Sequence, residues 1–314
     1  MIKYICLPSG GFNLIKYLGM IKPFIDRKLI QFETIKGFYG ISSGGILSAA
    51  LCLGLDFNEI VTYFVERPWN KTYNIEKINI MNYFSDKGIF NKKHISMLIE
   101  PLFKAKKFNL NTLTMKEFYD KTKYKLSLFA INASTYELIE FNYEKTPDIL
   151  LLDALYFTSC IPLIFKPYEY EGVCYLDGGM HTNCPFDICL NNEDVKPDEI
   201  FGMDTTGIDV LSIPINHDDQ YFNFVMKMLF KMHTQGINRI KNHTCKYFME
   251  IKMIDYKIMP LSEIINSQET RKRIYLNGIS DAEEFLNTLN ELSDNSEKEN
   301  APENEYDDCI KECV

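Results

Sequence analysis

An α/β fold is predicted for residues 1 to about 205 of this chain, on two observations. Short apolar segments rich in β-branched and aromatic residues alternate with helical patterns, as strands and helices do in α/β proteins. A strand-turn-helix pattern around Ser42 carries glycines on both sides of the serine. At 314 residues the chain is long enough to bury a sizeable core, and 46% hydrophobic and 25% charged residues are typical of a globular protein.

Strands and helices in this region are predicted from the spacing of apolar residues. The strands are Ile2–Leu7, Ile35–Tyr39, Leu126–Asn132, Glu137–Asn142, Val173–Leu176 and Glu199–Met203. The helices between them are Leu14–Arg27, Gly44–Cys52, Asn58–Val65, Lys92–Phe103 and Ile149–Ser159.

Two further zones follow the α/β region. Residues 206–292 are predicted to form a helical part packed on the same domain, because apolar residues between Phe222 and Ile240 follow one helix face. A helix lying on a membrane surface is the alternative for that segment, since its basic residues lie largely away from the apolar stripe. Apolar residues up to Leu292 extend a last helix, and residues 293–314 are expected to form a disordered acidic tail.

The net charge of −9 is concentrated at the C-terminal end. Residues 281–314 contain twelve acidic and two basic side chains, so the preceding residues are close to neutral. The acidity therefore describes a tail and says little about a substrate of the α/β region. We expect no nucleic-acid partner.

The cysteines and the first residues of the chain indicate the cellular compartment in which the protein is expected. Nine cysteines are scattered singly and form neither a CxxC pair nor a zinc-ligand pattern, so free thiols and no metal site are expected. No apolar run is long enough to span a bilayer, and a buried strand explains the first residues better than a signal peptide does. We therefore expect a cytoplasmic protein, with peripheral membrane association as a further possibility.

Residues Gly40–Gly44 spell G-I-S-S-G, the G-x-S-x-G pattern of a nucleophilic serine. A serine on a sharp turn stands clear of the sheet, and the helix that begins beneath it favours developing negative charge. A turn that simply links a strand to a helix is the alternative interpretation. Ser43 follows the centre of the motif and Ser48 lies inside the helix, so Ser42 is the predicted nucleophile.

A serine hydroxyl needs a base to remove its proton, and histidine is the usual one. Of the five histidines, only His181 lies near a second distinctive pattern, and an exposed loop position is its simpler explanation. That pattern is Asp177-Gly178-Gly179, in which an acid ends an apolar strand and two glycines allow close backbone approach. By itself the pattern is more typical of a turn.

Together these segments resemble the patatin-like phospholipase family, which uses a serine–aspartate dyad. Residues 177–185 reproduce the family's D-G-G-x-x-x-N-x-P block, and the approach to it appears as Ala154, Ser159, Pro162, Phe165 and Pro167. The resemblance covers roughly residues 1–205 and also includes the strand at Phe129–Asn132. It implies a three-layer α/β/α sandwich with a mixed, mostly parallel central sheet. It further implies that Asp177 takes the Ser42 proton directly, with no histidine, metal or cofactor.

The pattern is broken at Ser9–Leu14, where the family has G-G-G-x-[KR]-G to supply oxyanion donors. Gly10 and Gly11 match the middle glycines, whereas Asn13 replaces the basic residue and Leu14 the last glycine. Main-chain N–H groups of Gly10, Gly11 and Phe12 are the predicted oxyanion hole. Asn13 is a supporting residue, because its amide can donate without carrying a full charge. The glycines 40, 44, 178 and 179 are predicted to support the two catalytic turns.

Two classes of function follow. The first is a lipid acyl hydrolase of the phospholipase or lysophospholipase type, acting through an acyl-enzyme on a lipid ester at a membrane or micelle surface. The second is a catalytically weak or inactive protein of the same fold that binds lipid or a partner. Retention of Ser42 and Asp177 favours the first class, and the changes at Asn13 and Leu14 favour the second.

Overall fold

A computed structural model of the chain describes residues 1–72, 86–206, 245–252, 254, 259 and 261–299, with isolated positions between 215 and 231. Its strands are β1 Tyr4–Leu7, β2 Gly37–Gly40, β3 Lys125–Asn132, β4 Leu138–Phe141, β5 Glu169–Tyr170, β6 Val173–Asp177, β7 Ile200–Thr206 and β8 Phe248–Lys252. The α-helices that the structure describes are α1 Leu14–Asp26, α2 Ser43–Leu51, α3 Phe57–Glu66, α4 Lys92–Ala105, α5 Met115–Thr122, α6 Leu151–Thr158, α7 Phe186–Asn192, α8 Leu261–Asn266 and α9 Gln268–Glu299.

The described strands form one eight-stranded mixed sheet, which confirms the predicted α/β architecture. Hydrogen bonding follows the path β5-β6-β3-β2-β1-β7-β8, and β4 also pairs with β3. The pairs β1–β2, β1–β7, β2–β3 and β7–β8 are parallel, whereas β3–β4, β3–β6 and β5–β6 are antiparallel. The connections from β1 to β2 and from β2 to β3 contain helices, as parallel pairing requires.

Strands β2 and β6 meet end to end along one edge of β3. Leu128 of β3 pairs with Gly40 at the end of β2 and, on its other edge, with β4. Two residues later Ala130 pairs with Asp177 at the end of β6, and again with β4. Because β4 occupies the same edge of β3 at both positions, β2 and β6 must share the other. Their carboxyl ends therefore face each other across Phe129.

Alternating side chains of the strands enter two separate apolar clusters. Ile5 and Leu7 of β1 lie in the larger cluster with helices α1, α2 and α3. Tyr4 and Cys6 point to the opposite face, where α7 covers a smaller cluster that includes Phe186. This period of two is what a strand buried on both faces produces, so the sheet has helices on both sides.

The last described helix, α9, packs closely along α1. A Cβ atom on Gly19 would lie 2.0 Å from the Tyr275 carbonyl oxygen, and one on Gly278 would lie 2.2 Å from that of Lys16. Lys16 also forms an ion pair of 2.6 Å with Asp281. Glycine on both helices is therefore what allows their backbones to touch.

Helix α9 extends to Glu299, past residue 292, where the sequence analysis placed the start of the disordered tail. Residues 293–299 include Glu and Lys, which are good helix formers and can prolong a helix that is already anchored. The rest of the tail, and most of the predicted amphipathic segment between Phe222 and Ile240, lie outside the described residues. None of the helices in the described ranges is long and apolar enough to cross a bilayer.

Arg271 of α9 is buried and binds backbone carbonyl groups at the ends of two other helices. Its guanidinium donates to Val65 O (2.7 Å) and Arg67 O (2.9 Å) at the end of α3. It also donates to Ile264 O (2.7 Å) and Ile265 O (3.1 Å) at the end of α8. Carbonyl groups at a helix C-terminus have no partner within the helix, so this one side chain caps two helices.

We expect Arg271→Met to lower the free energy of unfolding by about 3 kcal/mol or more, because four buried carbonyl groups lose a charged donor. Urea denaturation would measure the loss. The control is Arg273→Met, since Arg273 is exposed and pairs with Glu263 at the surface; its cost should stay below about 1 kcal/mol. Equal losses in the two variants would show that Arg271 is not a capping residue.

Candidate active site

Ser42 lies on the turn between β2 and α2, in a backbone conformation that side-chain-bearing residues rarely adopt. Its φ is 54° and its ψ is −123°, and it is the residue immediately before α2. Such strain costs on the order of 1–3 kcal/mol and persists only where the surroundings hold it. The sharp turn places the hydroxyl at the carboxyl end of β2, at the N-terminus of a helix.

The glycines of the turn Gly40–Gly44 are required by close backbone contacts. A Cβ on Gly40 would lie 2.6 Å from the Gly45 Cα, so the incoming strand and the outgoing helix could not approach. A Cβ on Gly44 would lie 2.4 Å from the carbonyl oxygens of Leu7 and Pro8. The G-x-S-x-G spacing therefore fits the packing between this turn and the segment that follows β1.

Thr158, at the end of α6, holds the backbone of the strained serine. The Ser42 N–H donates to Thr158 Oγ1 at 2.9 Å, and that hydroxyl donates to Phe129 O at 2.6 Å. The threonine thus ties the turn to the middle of β3, where β2 and β6 meet. The sequence analysis did not identify it, although it directly precedes Ser159 of the family block.

Asp177 ends β6 and is buried, with 2% of its surface exposed. The Gly179 N–H donates to Asp177 Oδ1 at 2.7 Å. Asp177 Oδ2 has no hydrogen-bond partner of standard geometry among the described residues. The Ser42 side chain nevertheless acts on the carboxyl group and lowers the pKa of Asp177.

Burial raises the pKa of Asp177 from 3.8 to about 7, because the charged form loses its hydration. The Ser42 side chain and the hydrogen bond from the Gly179 backbone lower the pKa and offset part of that rise. A carboxyl group with a pKa near neutrality can accept a proton far more readily than an ordinary aspartate. This is the property that a general base needs.

The two turns are in direct contact through their neighbours. A Cβ on Gly178 would lie 2.3 Å from the Phe129 carbonyl oxygen and 3.4 Å from the Ile41 side chain. Ser42 and Asp177 thus flank the same stretch of β3. The structure brings together the two residues that the sequence placed 135 positions apart.

The glycine loop, Ser9–Leu14, runs between these turns and begins α1. Gly11 has a φ of 58°, in the left-handed region that favours glycine. The backbone N–H groups of Ser9 and Asn13 donate to Asn183 O at 3.0 Å and Gly10 O at 3.1 Å. The predicted oxyanion donors, Gly10, Gly11 and Phe12, lie between these two fixed ends.

Asn13 is fully buried, and both ends of its amide are used inside the protein. Its Nδ2 donates to Gly10 O at 2.6 Å, and its Oδ1 accepts from the Ile254 N–H at 2.9 Å. The sequence analysis considered the amide as a substitute for a positive charge. In the structure Asn13 instead links the glycine loop to the segment after β8.

No hydrogen bond in the described part of the chain joins a histidine to Ser42 or Asp177. His94 accepts from the Asn91 N–H at 3.1 Å at the start of α4, and burial lowers its pKa. His181 is exposed, with its ring 6.4 Å from that of Tyr136. His217, His233 and His243 lie outside the described residues. In the ranges that the structure describes, no group of His, Cys, Asp or Glu side chains could hold a metal ion.

The chain belongs to the patatin-like phospholipase family, whose model matches residues 5–190. It is 29% identical over 194 residues to "Probable lipid hydrolase 463L" of Invertebrate iridescent virus 6, covering 62% of this chain and 65% of that protein. It is 24% identical over 194 residues to "Uncharacterized protein R571" of Acanthamoeba polyphaga mimivirus, covering 62% and 63%. The chain thus matches less than two thirds of the length of either relative.

The fold is also similar to that of VipD from Legionella pneumophila. The TM-score is 0.53 at 17% sequence identity, and the match covers 92% of this chain and 67% of that one. At this identity the likeness concerns the fold alone, and it agrees with the mixed sheet and flanking helices described above.

We expect Asn13→Arg to lower stability and activity, although arginine or lysine is the residue of the family pattern. The site is fully buried, so a larger charged side chain has to displace its neighbours and loses the contact with Ile254. Asn13→Asp is the matched variant in shape: it keeps the acceptor for the Ile254 N–H but replaces the donor to Gly10 O by a buried carboxyl oxygen, so it too should lose stability. Thermal unfolding and ester hydrolysis measure both, and a stable Asn13→Arg protein faster than wild type would contradict the linking role.

Proposed function

We propose that this protein is a lipid acyl hydrolase that uses Ser42 as nucleophile and Asp177 as its only general base. The observation that carries the proposal is the placement of a strained serine beside a buried carboxyl group with a pKa of about 7. The family match and the name of the iridescent-virus relative support a lipid ester as the substrate class. A phospholipid or lysophospholipid is the substrate type that we propose within that class.

In the proposed reaction the Ser42 hydroxyl attacks the ester carbonyl while Asp177 Oδ2 accepts its proton. The tetrahedral oxyanion that forms is bound by backbone N–H groups of Gly10, Gly11 and Phe12. Asp177 then returns the proton to the departing alcohol, which leaves an acyl-enzyme. Water attacks this acyl group with Asp177 again as base, and the fatty acid is released with Ser42 restored.

Covalent labelling tests the nucleophile. A fluorophosphonate probe should label wild-type protein at Ser42, and Ser42→Ala should abolish both the labelling and the hydrolysis of a short-chain ester. Ser48→Ala is the control, since Ser48 lies inside α2 and the reaction does not use it. Absence of labelling in wild type, under conditions that label a known serine hydrolase, would favour an inactive protein of the same fold.

Asp177 should give the hydrolysis a characteristic pH dependence. The folded protein releases the Asp177 proton near pH 7, whereas the unfolded chain releases it near pH 3.8. We expect kcat/KM to rise with pH through about 7 and then level off, because the base acts only when ionised. Asp177→Asn should remove nearly all activity at every pH.

The same titration of Asp177 should lower the stability of the protein as pH rises, although it raises the activity. Between pH 4 and 7 the folded state binds more protons than the unfolded state, so this group's contribution to stability falls as pH rises. The loss in the free energy of unfolding is on the order of 4 kcal/mol over the whole titration. Asp177→Asn should avoid this loss, so in denaturant unfolding its stability relative to wild type should be higher at pH 8 than at pH 5. Asp120→Asn, at an exposed position, is the control. If the free energies of unfolding of wild type and Asp177→Asn differ by the same amount at pH 5 and at pH 8, the raised pKa of Asp177 is contradicted.

A further inference from the structure

Ser9 connects the glycine loop to the aspartate loop, which we define as residues 177–185. It stands where the family pattern has its first glycine. Its hydroxyl lies 2.5 Å from Asn183 Oδ1, and its backbone N–H donates to Asn183 O at 3.0 Å. The Asn183 side-chain nitrogen in turn donates to Asp204 Oδ1 on β7. Side chains thus join three segments that are distant in sequence.

The direction of these hydrogen bonds follows from the groups involved. An ionised carboxylate only accepts, so Asp204 faces the amide nitrogen of Asn183. The amide oxygen consequently faces Ser9, and the Ser9 hydroxyl is the donor. A glycine at position 9 would keep the backbone contact and lose this one.

Ser9 also lies against Gly179, whose backbone N–H donates to the predicted base. A Cβ on Gly179 would be 2.7 Å from Ser9 Oγ and 2.9 Å from Asp177 Oδ1. The Ser9 carbonyl oxygen accepts from the Tyr17 hydroxyl at 2.8 Å. The residue is therefore held by α1 on one side and by the aspartate loop on the other.

We propose that Ser9 is a positioning residue, which through Asn183 and Asp204 sets the spacing between the oxyanion donors and Asp177. Its catalytic consequence rests on the function proposed above. The donors lie on the glycine loop and the base on the aspartate loop, and the reaction needs both within a fraction of an ångström of their working positions. This bridge of Ser9, Asn183 and Asp204 holds a glycine loop that lacks the basic residue of the family pattern.

A double-mutant cycle on a soluble ester tests the bridge. Ser9→Ala and Asn183→Ala should each lower kcat about tenfold with little change in KM, and the double variant should lose about tenfold rather than a hundredfold. Ser9→Gly, which restores the family residue, should lose as much as Ser9→Ala because both lack the hydroxyl. Losses that multiply, or an unchanged kcat in Ser9→Ala, would overturn the proposal.

Amide hydrogen exchange provides a readout that does not depend on activity. Ser9→Ala should speed exchange both in residues 9–14 and in residues 178–184, since the bridge joins these loops. The matched control is Thr182→Val, which removes a hydroxyl from the aspartate loop that donates to Cys184 O at 3.3 Å; it should leave the glycine loop unchanged.

The two experiments separate the bridge from the proposed function. A wild-type protein that neither hydrolyses esters nor is labelled at Ser42 refutes the function, and exchange then decides the bridge. Faster exchange confined to residues 9–14 in Ser9→Ala would overturn it, whatever the activity.

Discussion

The burial of the Asp177 carboxyl group is the constraint on which the rest of the site depends. Desolvation raises its pKa to about 7, and the groups that oppose this are a hydroxyl and a backbone N–H. Among the described residues no lysine or arginine contributes to that balance. A cation beside the carboxylate would lower its pKa and weaken it as a base. The surroundings of Asp177 therefore have to be polar enough to orient it and free of positive charge.

Within the described ranges, hydrogen bonds between uncharged groups, and not ion pairs, accordingly position the Ser42 turn, the glycine loop and the aspartate loop. Thr158 holds the strained Ser42 backbone, Asn13 holds the glycine loop, and Ser9 reaches the aspartate loop through Asn183. The Thr158 contact lies where β2 and β6 meet, and the Ser9 contact joins the loop after β1 to the loop after β6. The departure from the family's basic residue is consistent with this pattern, because an amide fixes the loop without adding a charge.

Much of the fold could be predicted because strand and helix periods are local properties. The six predicted strands correspond to β1–β4, β6 and β7 within three residues at each end. The two-residue β5 has no periodic signal, and β8 depends on pairing with distant β7. Helix α5 was missed despite its capping box of Thr114 and Glu117, a signal that the sequence does carry. The hydrogen-bond partners of Thr158 and Asn183 could not be predicted, since they lie 116 and 174 positions away.

The contact between Asn13 and Ile254 has a consequence for how the protein matures. The ribosome delivers the serine, the aspartate and the whole glycine loop long before residue 254 leaves the exit tunnel. Until then the Asn13 amide has an unfilled acceptor, and the loop that would bind the oxyanion lacks its anchor. A nascent or prematurely terminated chain thus carries Ser42 and Asp177 without this support for the glycine loop. Under the proposed function, the capacity to hydrolyse esters would in this way be withheld until residue 254 has joined the fold.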